Sequence, residues 1–142
     1  MTAIARKFSA EGPYTFPVLA AGLTINGGML VIPDPVNAGG VQIAGLDAKN
    51  CLGVCVADGA AAGVFSPTDA AAYPPYVAVE SQGVFPVTFT FAAVLGNPLK
   101  CAANGAVALW IDATDDPDEC IGMCFDTAVA ANAVGNARIN IL

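Results

Sequence analysis

A mainly β, single-domain protein is what this sequence predicts: a small β-barrel or β-sandwich with two pseudo-repeated strand-turn-strand units and an extended N-terminal arm. Three observations carry that expectation. The pattern Cys, aliphatic, Gly, apolar, Cys occurs twice, as Cys51-Leu52-Gly53-Val54-Cys55 and as Cys120-Ile121-Gly122-Met123-Cys124. Short apolar runs are punctuated by turn signals such as Asn26-Gly27-Gly28 and Asn37-Ala38-Gly39-Gly40, the residues that tight turns select. Apolar and polar residues also alternate in Val87-Thr88-Phe89-Thr90-Phe91 and in Arg138-Ile139-Asn140-Ile141, the period of a half-buried strand.

Each copy of the cysteine pattern follows a polar turn and, before it, a Gly-led apolar strand. Gly40 to Gly45 leads into the first copy and Gly105 to Trp110 into the second. Further upstream, Gly28-Met29-Leu30-Val31 aligns with Asn97-Pro98-Leu99-Lys100. Two copies are too few for a solenoid, so pseudo-symmetric halves of one domain fit better.

Residues 1–16 read as the arm, leaving 17–142 as the β-rich domain. Arg6 and Lys7 are two of five basic residues, and no acid precedes Glu11. Strands follow at Phe16–Ala21, Met29–Ile32, Val41–Ala44 and Cys51–Val56. Residues 57–72 are an Ala/Gly-rich connection, in which Ser66-Pro67-Thr68-Asp69 has the order of a helix start and Tyr73-Pro74-Pro75-Tyr76 a stop. Tyr76–Glu80 is a strand. Gln82-Gly83 turns into Val84–Val87, where Pro86 belongs at an edge or a bulge. The second unit spans Leu99 to Phe125, and 137–142 form a last strand paired with an earlier one.

Three readings of the cysteines compete: packed thiols, a disulfide between the copies, and a four-thiolate metal site. Residues four apart in an extended strand share a face but lie roughly 13 Å apart. That span suits neither a disulfide within one pair nor two ligands on one zinc. Packed thiols therefore lead, with no metal or other cofactor.

The chain has 142 residues, 56% hydrophobic and 12% charged, with mean hydropathy +0.63. Globular chains carry about 25% charged residues. The apolar surplus favours burial against a partner, including further copies of the chain. A net charge of −7 disfavours direct nucleic-acid binding. No histidine is present, which removes His-based nucleophile pairs, metal ligation and pH switching. Five cysteines, an odd number, and no apolar leader at the N-terminus suggest synthesis in a reducing cytoplasm. The uncharged run after Glu80 alternates and breaks at prolines, so it reads as strand and not as a membrane span.

Few residues offer chemistry. The acidic stretch Asp112 to Glu119 has oxygen-rich spacing but not the Gly and terminal Glu of a calcium loop; a solvated hairpin tip is the simpler reading. No serine stands in a nucleophile-elbow pattern, and no Gly-rich loop carries the Lys-Ser/Thr of a phosphate site. The expectation is no enzyme. Trp110 reads as core or as an interface anchor, with Tyr73 and Tyr76 as further interface candidates.

Taken together, Gly28-Met29-Leu30-Val31-Ile32-Pro33, Leu52-Gly53-Val54-Cys55-Val56-Ala57-Asp58-Gly59-Ala60 and Val77 to Phe85, with Ile121-Gly122-Met123-Cys124 before a closing alternating strand, resemble the head-decoration (capsid cement) proteins of tailed bacteriophages. The cysteine pairs are not part of that family's pattern. The resemblance spans most of 16–142. It implies a virion protein on the capsid exterior, bound to the major capsid protein, trimeric at local threefold positions, stabilising the expanded shell. It also implies an arm that touches the shell, here through Arg6, Lys7 and Phe8. A small β-rich adhesin, or a carbohydrate- or receptor-binding module, is the alternative, with Tyr73, Tyr76 and Trp110 as its contact residues.

Overall fold

The computed structural model describes residues 14–61 and 75–141. Their strands fall into two consecutive sets. The first is β1 (Tyr14–Pro17), β2 (Thr24–Ile25), β3 (Leu30–Pro33), β4 (Val41–Ile43), β5 (Gly53–Cys55), β6 (Gly59–Ala60) and β7 (Tyr76–Glu80). The second is β8 (Gln82–Thr88), β9 (Ala93–Val94), β10 (Pro98–Cys101), β11 (Val107–Leu109), β12 (Gly122–Cys124), β13 (Ala128–Val129) and β14 (Val134–Asn140). Ser81 alone joins the sets; Gln82 and Gly83, expected as a turn, pair with Asn140 and Ile139 inside the strand.

Each set makes one five-stranded antiparallel sheet, and the two orders correspond: β1-β7-β5-β3-β4 and β8-β14-β12-β10-β11. Each adds a two-stranded ribbon, β2 with β6 and β9 with β13. The repeat therefore covers the whole fold and not only the cysteine units. The sheets are open, so the architecture is a sandwich and not a closed barrel. Strand register corrects the sequence alignment by one residue. The N–H of Gly28 donates to Cys55 O and that of Gly96 to Cys124 O, so Gly28 corresponds to Gly96, and Val31 to Leu99.

The repeated glycine makes a bulge. Leu52 N–H donates to Val31 O while Gly53 is itself opposite Val31, so two residues face one. Ile121 and Gly122 stand against Leu99 in the same way. A Cβ on Gly53 would collide with the Glu80 carbonyl, and one on Gly122 with the Arg138 carbonyl. Gly53 also has φ +151°, where side chains are disfavoured. The bulge breaks the alternation on which the cysteine spacing was read. Cys51 packs on one side of its sheet, with Leu30 and Val54. Cys55 packs on the other, with Val31, Val41 and Val79.

Those two sides have different neighbours. Leu30, Ala44, Cys51 and Val54 share a core with Leu99, Cys101, Val107, Ala137 and Ile139 of the second sheet. By register, the latter correspond to the opposite side of the first sheet, the one carrying Val31, Val41 and Val79. The halves thus stack in the same sense, front on back. Val18, Ile25, Val77 and Ala61 complete a second core on the far side of the first sheet. Where each ribbon meets its sheet, one exchange of volume keeps the packing equal. Gly59 lies against Val77, whereas Val129 lies against Gly135, so each pair supplies one valine and one glycine from opposite strands.

Pro86 sits on β8, the edge strand, opposite Asn136, where its missing N–H costs no ladder bond. The last strand, β14, is interior and pairs with both β12 and β8. The Ser66-Pro67-Thr68-Asp69 start signal lies outside the described residues.

Gly53→Ala and Gly122→Ala each force a strand away from the neighbouring carbonyl, at a cost of about 3 kcal/mol or more. Urea unfolding of each variant measures this. Losses below about 1 kcal/mol would mean that the bulges yield easily.

Candidate interaction surfaces

The acidic stretch is exposed at residues 112–114 and 116–118, as a solvated tip would be, but Asp115 and Glu119 are drawn inward. Its backbone turns at Ile111–Asp115 and again in the 3-10 turn Pro117–Glu119. There the Asp116 N–H donates to Glu119 Oε2 at 2.5 Å in a capping box. Glu119 is buried. Oxygens of Asp47, Asp115 and Glu119 come within 4.8 Å of one another, a donor set that suits a cation. The cation is supplied by the chain: Lys100 Nζ lies 2.6 Å from Asp47 and 2.9 Å from Asp115. Lys49 pairs with Asp116 beside it. The bond from Lys100 holds Asp115 below the usual carboxylate range, and its two carboxylate partners raise Lys100. Asp47 and Lys49 belong to the first half and the others to the second, so this cluster clasps the halves.

Trp110 is half-buried on the second sheet's edge. Its N–H donates to Pro98 O and its Nε1 to Asp116 O at 2.8 Å. The indole is thereby committed to holding the acidic turn. Tyr76 is 52% exposed at the start of β7, in the other sheet, so the two do not share a strand pair. Arg6, Lys7, Phe8 and Tyr73 lie outside the described residues. β1 begins at Tyr14, so residues 14–16 of the expected arm belong to the sheet, and Phe16 packs against the second core.

Four cysteines are buried and Cys120 is exposed, which corrects the expectation that Cys120 is packed. The stacking explains it. Cys51 is on the first sheet's covered side, while the same side of the second sheet is open. Register lays a row across that open side: Pro98, Met123, Arg138 and Val84. Its covered counterparts are Leu30, Val54 and Glu80. Met123, Val84 and nearby Val134 are 40%, 47% and 68% exposed. Arg138 makes no ion pair among the described residues and lines a shallow hollow of about 310 Å³ with Cys120 and Asn140. The surface offers one guanidinium with apolar flanks on an otherwise acidic body. This face is not legible in the sequence, because which side of a sheet stays open depends on how the halves stack.

No family model matches this sequence, and no curated protein matches it. A solved structure does, the head fiber gp8.5 N base in bacteriophage phi29, with TM-score 0.61 over 90% of this chain and 94% of that one, at 14% identity. The two chains share a fold. At that identity the likeness speaks for architecture: this arrangement of sheets exists as a nearly complete chain of similar size.

Lys100→Met should lower the thermal midpoint, because it strands Asp115 and Asp47 without a counter-charge. The sign follows from the shifts. The carboxylate of Asp115, depressed by Lys100, stabilises above about pH 4 and loses that contribution as pH falls through its folded value; Lys100, raised, loses its contribution only as pH rises past about 10. The deficit of the variant should therefore be full between these limits and shrink in acid. Thermal melts from pH 2.5 to 8 test this, and a deficit that persists undiminished at pH 2.5 would assign it to lost packing.

Proposed function

We propose that this chain is a structural protein of a phage virion, carried on the outside of the head. The observation that supports it best is the fold shared with a phage head fiber base along nearly its whole length. The resemblance of its strand motifs to capsid-decoration proteins points the same way. The described residues add physical support. Asp47, Asp115 and Asp116 are paired with Lys100 and Lys49, and the Trp110 indole N–H is bonded to the acidic turn. What remains for a partner is surface: an open sheet face with Met123, Val84, Val134 and Arg138 exposed.

In the finer reading, the protein docks on the major capsid protein and assembles as a homotrimer at local threefold positions. A low charge content and exposed apolar residues favour such burial. A ligand that binds only the expanded shell shifts the equilibrium toward it by its binding free energy. Docking falls to the arm: Arg6 and Lys7 are attracted to acidic surface, and an extended segment adds a strand to an exposed sheet edge. A fiber base offers a second reading, in which the body anchors a further structure on the head.

Quantitative protein analysis of purified particles tests the class: a fixed ratio to the major shell protein is expected, and absence from washed particles would refute the proposal. Deleting residues 2–13, which precede β1, should leave the body folded and strongly reduce co-sedimentation with bare shells. Arg6→Glu with Lys7→Glu should reduce it less, with a deficit that shrinks as salt rises. Undiminished binding by the truncated chain would move docking to the folded body. Sedimentation at micromolar concentration, free and shell-bound, checks the trimer.

A further inference from the structure

The fifth cysteine, Cys101, has no counterpart in the repeat; register places Pro33 at its position. It ends β10, on the side of the second sheet that meets the first. There its thiol lies beside that of Cys51 from the first half, in the core that the two sheets share, while Cys51 Sγ donates to Gly53 O at 3.8 Å. The backbone fixes this meeting from both sides. Asp47 N–H donates to Cys101 O at 3.1 Å, and Gly105 N–H to Ala44 O at 3.0 Å. The adjacent Lys100 is held by Asp47. The other thiols have different engagements: Cys55 Sγ donates to Ala57 O at 2.8 Å and Cys124 Sγ to Asp126 O at 3.4 Å. Cys120 is exposed on the open face.

Access to the pair is one-sided. Cys51 is 7% exposed and lines an open cavity of about 480 Å³ with Tyr14, Phe16, Leu52, Gln82 and Ile141. Cys101 is fully buried behind it.

We infer that Cys51 and Cys101 are a redox pair at the seam of the halves, which a small-molecule disulfide converts into an intrachain disulfide stapling one half to the other. The reaction is two successive exchanges. Cys51 loses its proton, and its thiolate attacks one sulfur of the small disulfide in the cavity. The S–S bond of the oxidant breaks, the first small thiolate leaves and takes up a proton, and Cys51 carries a mixed disulfide. Cys101 Sγ then attacks Cys51 Sγ, giving up its proton as the second small thiol leaves. Two protein thiols are oxidised and one small disulfide is reduced to two thiols. The order of steps agrees with the electrostatics. The neighbouring Cys101 thiol draws the Cys51 thiol down, while Cys51 and burial push Cys101 up, so the cysteine that lines the cavity is also the better thiolate.

The experiment uses the full chain with Cys120→Ser, which removes the exposed thiol that would cross-link copies. The reduced protein is incubated natively with oxidised glutathione, quenched by alkylation, and digested with trypsin. Cleavage after Lys49 and Lys100 separates Cys51 and Cys101 into different peptides. The expected result is loss of two thiols per chain and a linked pair whose fragments place the bond at Cys51–Cys101. The thermal midpoint should rise by about 10 °C and fall back on reduction. With Cys101→Ala added, the reaction should stop at glutathione on Cys51. Both thiols remaining alkylatable, a bond mapped to Cys55 or Cys124, or Cys51 stalling as a mixed disulfide with Cys101 intact would each overturn the inference. The mapping on the Cys120→Ser chain decides the matter even if the Cys101 variant fails to fold.

Discussion

Two backbone collisions avoided, Gly53 against the Glu80 carbonyl and Gly122 against the Arg138 carbonyl, set the geometry on which the rest of the molecule depends. Each lets an interior strand approach its neighbour while carrying one surplus residue. That residue rotates the strand, so the side chains before and after it point to opposite sides. As a result one short motif supplies both cores: Cys51 and Val54 face the second half, and Leu52 and Cys55 face away. A strand without the bulge would place both cysteines on one side and leave the other short of apolar cover. The first half buries both sides of its sheet in this way, whereas the second keeps one side open, with Met123 and Val84 exposed on it.

How much of this was legible in the sequence can be argued residue by residue. The repeat, the β class and the edge position of Pro86 were, because glycine-punctuated alternation and the missing proline N–H are local facts. The one-residue offset between Gly28 and Gly96 was not, because it is fixed by cross-strand bonds. Nor was the bulge, since Leu52-Gly53 reads as ordinary strand until a partner is known. The acidic stretch looked like a hairpin tip because its counter-charges are remote: Lys100 lies a strand away, and Asp47 and Lys49 come from the other half. Cys101 carries no signal in the sequence, because it stands outside the repeated motif and its partner comes from the other half.

The seam between the halves gathers three kinds of interaction. Apolar contact across the shared core supplies cohesion and no direction. The Lys100 cluster and the Ala44 and Cys101 carbonyl bonds supply register, since each works at one relative position only. A single-residue junction at Ser81 limits the ways in which one sheet can be laid on the other.

The front-on-back stacking has an evolutionary consequence. Units that join in this sense are open-ended, and a third could add to the second as the second adds to the first; between molecules the same geometry would grow fibres. The second unit's outer face departs from the first where growth would begin. Arg138 replaces Glu80, Pro98 replaces Leu30, and Asn136 and Asn140 are exposed along β14. Those changes give the face a more polar outline than its covered counterpart, with Met123, Val84 and Val134 as the apolar side chains exposed on it.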